Sequence, residues 1–285
     1  MKALLIGGFG QLGTAIRHRW TDVEIVAPKR AELDIESDAD VQAALDRARP
    51  DLVVNCASFH DVDRCEIEPR RAFAVNAFAV DALARRCRAI DVTFVTISTD
   101  YVFDGRAARP YREGDEEHPL SAYGVSKLAG EILALRLDMR AFVVRTCGLY
   151  GIAERLAKSS FIDRVIGRGA SGEPVVVTND VTASPTFAGH LAIALRRLID
   201  TERYGLYHAA NEGPVTWFDF AAEAMKQAAV STAPVPRRSE ARPDAAERPA
   251  YSALDCTKLA SLGIQLPNWR IGICDYLIER NGRVR

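Results

Sequence analysis

Tyr123 and Lys127, in the run Ser-Ala-Tyr-Gly-Val-Ser-Lys, are four residues apart and project from one face of a helix. On such a face an ammonium stabilises the phenolate and lowers the phenol pKa from its free value of about 10. A phenol tuned in this way exchanges a proton with a substrate oxygen near neutral pH. Upstream, Ser98-Thr99-Asp100 closes a short apolar, β-branched run, so a hydroxyl and a carboxylate stand at a strand end. Tyr-x-x-x-Lys occurs often by chance, and its meaning rests on the elements that place it.

The first of those elements opens the chain. An apolar run ends in Gly7-Gly-Phe9-Gly10-Gln11-Leu12-Gly13, with glycines spaced G-x-x-G-x-x-G, and leads into a helical pattern over Thr14 to Trp20. A strand, a tight turn and a helix amino terminus let a pyrophosphate approach backbone N–H groups at the positive end of the helix dipole. The turn stands where the dinucleotide fingerprint requires it.

Short apolar runs recur at Val23–Ala27, Leu52–Asn55, Val92–Ile97 and Ala141–Arg145. Helical patterns separate them, among them Asp38–Ala48, Pro69–Ala89 and Ala122–Leu137. This alternation predicts an α/β fold, a doubly wound parallel sheet of Rossmann type with helices on both faces. After Tyr150-Gly151 the pattern changes: Gly, Pro and Ser become frequent, and Ala233–Pro249 lacks helical periodicity. Residues 1–150 are expected to form the cofactor-binding domain and 151–285 mainly a smaller substrate-binding lobe. Within that lobe a helix over 187–198 is expected to pack back on the core. The cleft between the lobes is the expected substrate site.

Composition sets limits. A net charge of −1 over 285 residues gives no basic field for nucleic acid or an anionic membrane. No apolar run is long enough to span a bilayer, and a strand beginning at Lys2 leaves no room for a signal peptide. Six cysteines without CxxC spacing read as reduced thiols, and five dispersed histidines suggest no structural metal site. The expectation is a cytoplasmic protein.

Taken together, several motifs resemble the dTDP-4-dehydrorhamnose reductase family of the extended short-chain dehydrogenase/reductases. They include Gly7–Gly13, Asn55-Cys56-Ala57-Ser58-Phe59 with Val62-Asp63, Val75-Asn76-Ala77, and Ser98-Thr99-Asp100-Tyr101-Val102-Phe103-Asp104-Gly105. Further along come Tyr123–Lys127 with Gly130-Glu131, Ser184-Pro185-Thr186, Thr216-Trp217 and Arg248-Pro249-Ala250-Tyr251-Ser252. The resemblance implies hydride delivery from a nicotinamide cofactor to the C4 carbonyl of a 4-keto-6-deoxy sugar nucleotide. Tyr123 would protonate the developing alkoxide, Thr99 would orient the carbonyl, and Lys127 would bind the nicotinamide ribose. Cofactor contacts are implied at the glycine turn, at Lys29, Arg30, Asp34 and Ile35, at Cys56 to Phe59, and at Asn76 and Ser98. Substrate contacts are implied at Asp100, Val102, Phe103, Gly148, Trp217 and Arg248. Nearby Arg242-Pro243 does not continue into the Tyr-Ser pattern that follows Arg248. A homodimer is compatible with the resemblance.

The second strand ends Ala27-Pro28-Lys29-Arg30, with the nearest acids at Glu32 and Asp34. Two cations suit a 2′-phosphate, so NADPH is favoured over NADH. The sequence also departs from the family pattern. Cys147-Gly148 follows Arg145-Thr146 where Ser-Trp is common, Ser160-Phe161 replaces Asn-Phe, and Val181 replaces a glutamine after Asp180. These changes fall on sugar-facing positions. An epimerase or dehydratase on another sugar nucleotide therefore stays open, although Tyr101 stands where a dehydratase would place a second acid. A non-catalytic subunit resembling the regulatory subunit of methionine adenosyltransferase is the third reading.

Overall fold

The computed structural model describes all residues except 138–139, 155–159, 241–244 and 284–285. Arg242-Pro243 therefore lies outside the described residues. The chain starts with β1 (Lys2–Ile6), α1 (Gln11–Arg19), β2 (Glu24–Val26), α2 (Asp38–Ala48) and β3 (Leu52–Asn55). Two short helices, α3 (Val62–Ile67) and α4 (Pro69–Phe73), lead through a π-helical turn at Ala74–Phe78 into α5 (Ala79–Ala89). Then come β4 (Thr93–Thr99), α6 (Ala122–Leu135) and β5 (Ala141–Thr146). All four residues of β3 and all six of β5 are buried. Strands covered on both faces need such continuous apolar runs, which is why this sheet is parallel and sandwiched between helices.

The second half contributes α7 (Phe161–Ala170), β6 (Val176–Thr178), β7 (Thr182–Ala183), α8 (Ala188–Asp200) and β8 (Gly205–His208). It ends with β9 (Val215–Thr216), α9 (Trp217–Gln227), β10 (Val235–Arg237), α10 (Thr257–Ala260) and α11 (Trp269–Arg283). The main sheet has the order β2-β1-β3-β4-β5-β8, with every pairing parallel. The order reverses between β1 and β3. That is the topological switch point, where the crevice beyond the strand ends takes ligands.

One face of the sheet is covered by α1 and α8, with Leu12, Ile16, Leu191 and Leu195 in a shared core. On the other face α2, α5 and α6 bury Val41, Leu45, Leu83 and Ala134. A third apolar cluster, containing Phe187, Phe220, Trp269 and Tyr276, holds α7, α9 and α11 together as a smaller lobe. The stretch over 233–249 that lacks helical periodicity contains β10, which pairs with β6. Residues 205–208 carry a strand that the sequence reading leaves unassigned. β8 joins the main sheet beside β5, so the chain returns to the first body through both α8 and β8.

α6 is clamped to the sheet by charge. Arg145 on β5 is fully buried and donates to Glu131 of α6 at 2.6 to 3.1 Å and to Glu117 at 2.6 Å. Removing one partner of such a buried pair leaves an uncompensated charge, so the clamp fixes where α6 sits. Among the described residues no helix is long and apolar enough to cross a membrane.

Candidate active site

At the switch point the glycine turn forms a cradle. Gly7 has φ +78°, and a Cβ there would meet the Ala57 nitrogen at 2.8 Å. Gly13 lies so close to Gly7 and Gly8 that a Cβ would fall 2.3 Å from the Gly7 carbonyl oxygen. At Gly10 a Cβ would meet nothing nearer than the Gly7 carbonyl oxygen at 3.5 Å, an ordinary contact. Gly10 is also the N-cap of α1 and offers no side-chain cap, and the first turn carries no acid. The N–H groups of that turn are therefore directed at a concave space with a positive helix end behind them, a fit for a pyrophosphate.

Two adjoining cavities share this turn. One, about 360 Å³, runs past Ser98, Thr99, Tyr123 and Lys127 to Trp217. The other, about 310 Å³, extends past Phe9 and Phe59 to Arg30, Asp34 and Ile35. Together they give a cleft with a phosphate cradle in the middle. The Ser98 and Thr146 hydroxyls line the first cavity and are buried without a protein partner. Buried hydroxyls of this kind are rare and suit a ligand rich in hydroxyl and carboxamide groups.

Tyr123 and Lys127 sit on α6, whose N-terminus is capped by the Ser121 hydroxyl accepting from Gly124 N at 3.2 Å. The register of β4 against β5 pairs Ser98 with Arg145 and Thr99 with Thr146. This places the Thr99 hydroxyl at the strand end facing α6. Thr99 Oγ1 donates to Asp100 Oδ1 at 3.1 Å and accepts from Tyr101 N at 3.2 Å. Lys127 Nζ donates to the Ile97 carbonyl at 2.6 Å.

The electrostatics correct one expectation. Burial pushes the Tyr123 phenol above its ordinary pKa and the Asp100 charge adds to this, against hydrogen bonds from Thr99 and Ser58. Burial also lowers the Lys127 pKa to about 8, against the opposing charge of Glu131. Both effects have one cause, removal from water in a dry cleft. Proton donation requires a protonated phenol, and a raised pKa keeps it so. Asp100 is likewise raised by burial; its carboxyl accepts from Cys147 Sγ at 3.0 Å.

A family model for the RmlD substrate binding domain matches residues 1–281. The chain belongs to that family. It is 36% identical to a dTDP-4-dehydrorhamnose reductase of Streptomyces griseus, over 98% of this chain and 94% of the relative. It is also 36% identical to a probable dTDP-4,6-dihydroxy-2-methyloxan-3-one 4-ketoreductase of Streptomyces antibioticus, over 95% of this chain and 92% of the relative. A solved dTDP-4-dehydrorhamnose reductase of Bacillus anthracis, in complex with NADP, is 32% identical with a TM-score of 0.92, covering 98% of this chain and 99% of that one.

The structure of this RmlD-family chain brings most of the expected residues into the cleft. The first cavity gathers Gly7, Gly10, Gln11, Leu12, Gly13, Cys56, Ala57 and Ser58 with the Thr99–Tyr123–Lys127 set, and includes Asp100, Gly148 and Trp217. Five expected contacts line neither cavity. Val102 and Phe103 are fully buried in a core where Phe103 stacks on Tyr111 at 4.1 Å, so neither lines the cavity. Lys29 is exposed and lines neither cavity, whereas Arg30 lines the second one. Asn76 is buried in the π-helical turn, away from both cavities. Its Oδ1 accepts from Ser58 Oγ and Phe59 N, and its Nδ2 donates to Phe59 O and Ser126 Oγ, all at 2.9 to 3.0 Å. It therefore fixes the loop after β3 against α6.

Arg248 lies at the rim and pairs with Asp63 at 2.9 Å. Sequence reasoning missed Thr146, His60 and Tyr101 as lining residues, and Arg71 beside Arg30. Thr146 was legible in principle, since Arg145-Thr146 ends the strand that pairs with Ser98-Thr99. On the lobe side the wall is apolar: Val181 and Ala183 stand with Trp217, whose ring packs on Gly148 and edge-on to Phe161 at 4.8 Å.

Proposed function

We propose that the chain is an NADPH-dependent reductase of the C4 carbonyl of a dTDP-linked 4-keto-6-deoxy sugar, dTDP-4-dehydrorhamnose or a close relative of it. The observation that carries this reading is convergence: Thr99, Tyr123 and Lys127 meet the phosphate cradle in one cavity whose far wall is Trp217. When bound, NADPH supplies the hydride. Thr99 holds the carbonyl oxygen, and Tyr123 Oη donates its proton to that oxygen as it gains charge. Lys127, charged below about pH 8, anchors the ribose and stabilises the tyrosinate left behind. The apolar wall of Val181, Ala183 and Trp217 suits the methyl group of a 6-deoxy sugar better than a hydroxymethyl. Arg30 on the second cavity supports NADPH over NADH.

The assignment extends to the division of labour, with residues 1–150 serving the cofactor and 151–285 mainly the sugar nucleotide. It extends also to a cytoplasmic setting, supported by six free cysteines. Homodimer formation is supported by exposed apolar side chains at Val125 and Ile132, seven apart on α6, and by Phe78 on the neighbouring turn. The test follows oxidation of NADPH and NADH with enzymatically prepared dTDP-4-keto-6-deoxy sugar, with Tyr123→Phe in parallel. Turnover lost in Tyr123→Phe supports the reading. Tight NADPH binding without turnover by the wild type would sink it.

A further inference from the structure

The segment from Ala246 to Ser252 crosses the mouth of the first cavity as a strap. Ser252 and Pro249 line that cavity. The strap is pinned on the lobe side, where Thr182 N donates to Ala250 O at 2.8 Å and Ser252 N to Thr182 O at 2.9 Å. On the opposite side it meets α3. Asp63 Oδ1 accepts from the backbone N of Ala246 at 3.0 Å and from Arg248 Nη2 at 2.9 Å. One carboxylate oxygen therefore holds both the strap's main chain and its guanidinium.

α3 is itself anchored to the catalytic helix. One turn on from Asp63, Glu66 Oε1 accepts from the N–H of Ala122, the first residue of α6, at 2.7 Å. Asp63 is thus fixed relative to Tyr123, while the Arg248 guanidinium is held by Asp63 and, through Nη1, by the Ala246 carbonyl at 3.0 Å. The pair is open to solvent, with side-chain exposures of 36% and 38%. Exposed ion pairs are weak and readily exchanged for a better anion. The guanidinium also lies within electrostatic reach of the cavity wall. Burial raises the Tyr101 pKa and the Arg248 charge opposes it, and Tyr101 stands edge-on to Tyr123 at 5.9 Å.

Charge inside the cavity completes the argument. Among the described residues lining it, Lys127 is the only lysine or arginine, and its ammonium is held by the Ile97 carbonyl. A nucleoside diphosphate entering from the lobe side therefore meets no other cation in the wall. We propose that Asp63 is a positioning residue that parks Arg248 at the cavity mouth, and that the diphosphate of the nucleotide substrate takes the guanidinium over from it on binding. This rests on the reading of the site as one for a nucleotide sugar. A bidentate guanidinium–phosphate contact replaces an exposed carboxylate pair, so part of the binding free energy is set by how firmly Asp63 holds its partner.

Isothermal titration of dTDP into the NADPH-loaded protein tests this, using Asp63→Asn, Arg248→Gln and the double variant. Asparagine keeps the acceptor for Ala246 N, so the strap stays docked while the competing charge is removed. Arg248→Gln is expected to weaken dTDP binding by about tenfold. Asp63→Asn is expected to tighten it by roughly two- to fivefold, with the change appearing in KM and not in kcat. In the Arg248→Gln background Asp63→Asn should have no effect. Equal weakening by Asp63→Asn in both backgrounds would show a purely structural role and overturn the proposal. Unchanged dTDP affinity in Arg248→Gln, with turnover intact, would overturn the exchange and leave the reductase standing. A wild-type protein that binds NADPH but not dTDP would overturn both.

Discussion

Gly130→Ala tests whether the catalytic helix is placed by backbone contact. Gly130 faces the π-helical turn, and a Cβ built there would fall 2.2 Å from the Asn76 carbonyl oxygen and 3.3 Å from its carbon. Ordinary contact needs about 1 Å more, so α6 and the turn must separate by about that distance. The separation acts on the four hydrogen bonds of Asn76 to Ser58, Phe59 and Ser126, and on α6, which carries Tyr123 and Lys127. Misplacement of reacting groups by about 1 Å costs on the order of 100-fold in rate. Stability should move much less. Overpacking costs about 1–3 kcal/mol, and the gain of alanine over glycine within a helix returns about 1 kcal/mol. The assay is kcat at saturating NADPH and sugar nucleotide, set beside urea denaturation of the same preparation. A kcat within twofold of wild type in a folded Gly130→Ala protein would refute the reasoning, because it would show that α6 accommodates the methyl group without moving the phenol.

Three further outcomes follow from charge. Lys127 releases its proton near pH 8 in the folded protein but near pH 10.4 unfolded, so between these values the unfolded chain binds more protons and stability rises with pH. Activity should fall over the same interval as Lys127 loses its charge; Lys127→Met should flatten the stability rise in urea titrations at pH 8 and 10. His208, whose pKa burial and then the Arg145 charge lower to about 3, is neutral in the folded state. The unfolded histidine titrates near 6.5, so stability is lost as pH falls from there towards 3, and His208→Asn should show a shallower acid slope. Arg30→Ala should raise the KM for NADPH by about tenfold while leaving NADH unchanged, since the guanidinium faces the cavity that would hold the 2′-phosphate. An equal effect on both cofactors would remove Arg30 from that role.

Much of the fold was legible because its signals are local. β3 occupies Leu52–Asn55 and α2 occupies Asp38–Ala48, the spans their apolar patterns mark. What resisted reading depended on long-range pairing. β8 reads Gly-Leu-Tyr-His, too short to show a period, and it becomes a strand because β5 offers a free edge beside it. The helix expected over Pro69–Ala89 runs the whole span, with a π-helical break in its hydrogen-bond pattern at Ala74–Phe78. No propensity marks that break; the turn coincides with the place where Asn76 bonds the loop after β3 and Gly130 closes on its carbonyl.

The site shows the same division between local chemistry and environment. Side-chain types and spacing placed Thr99, Tyr123 and Lys127 on one cavity, yet the same spacing suggested a lowered phenol pKa and the structure gives a raised one. Proximity of an ammonium is a property of sequence, whereas exclusion of water is a property of the whole cleft, and here exclusion wins. It acts on Lys127, Tyr123 and Asp100 alike, favouring the neutral form of each. Val102 and Phe103 line neither cavity for a related reason. They share a motif with Thr99 and Asp100, but the turn after β4 directs them into the core under Arg145, whose guanidinium lies 5.1 Å from the Phe103 ring. Their contribution is to hold the strand end still. Cys147, a departure from the family pattern, is buried as well and donates to the Asp100 carboxylate beside Thr99. Drift at that position therefore changes the setting of the Thr99 hydroxyl before it changes the shape of the sugar pocket, which Val181, Gly148 and Trp217 define.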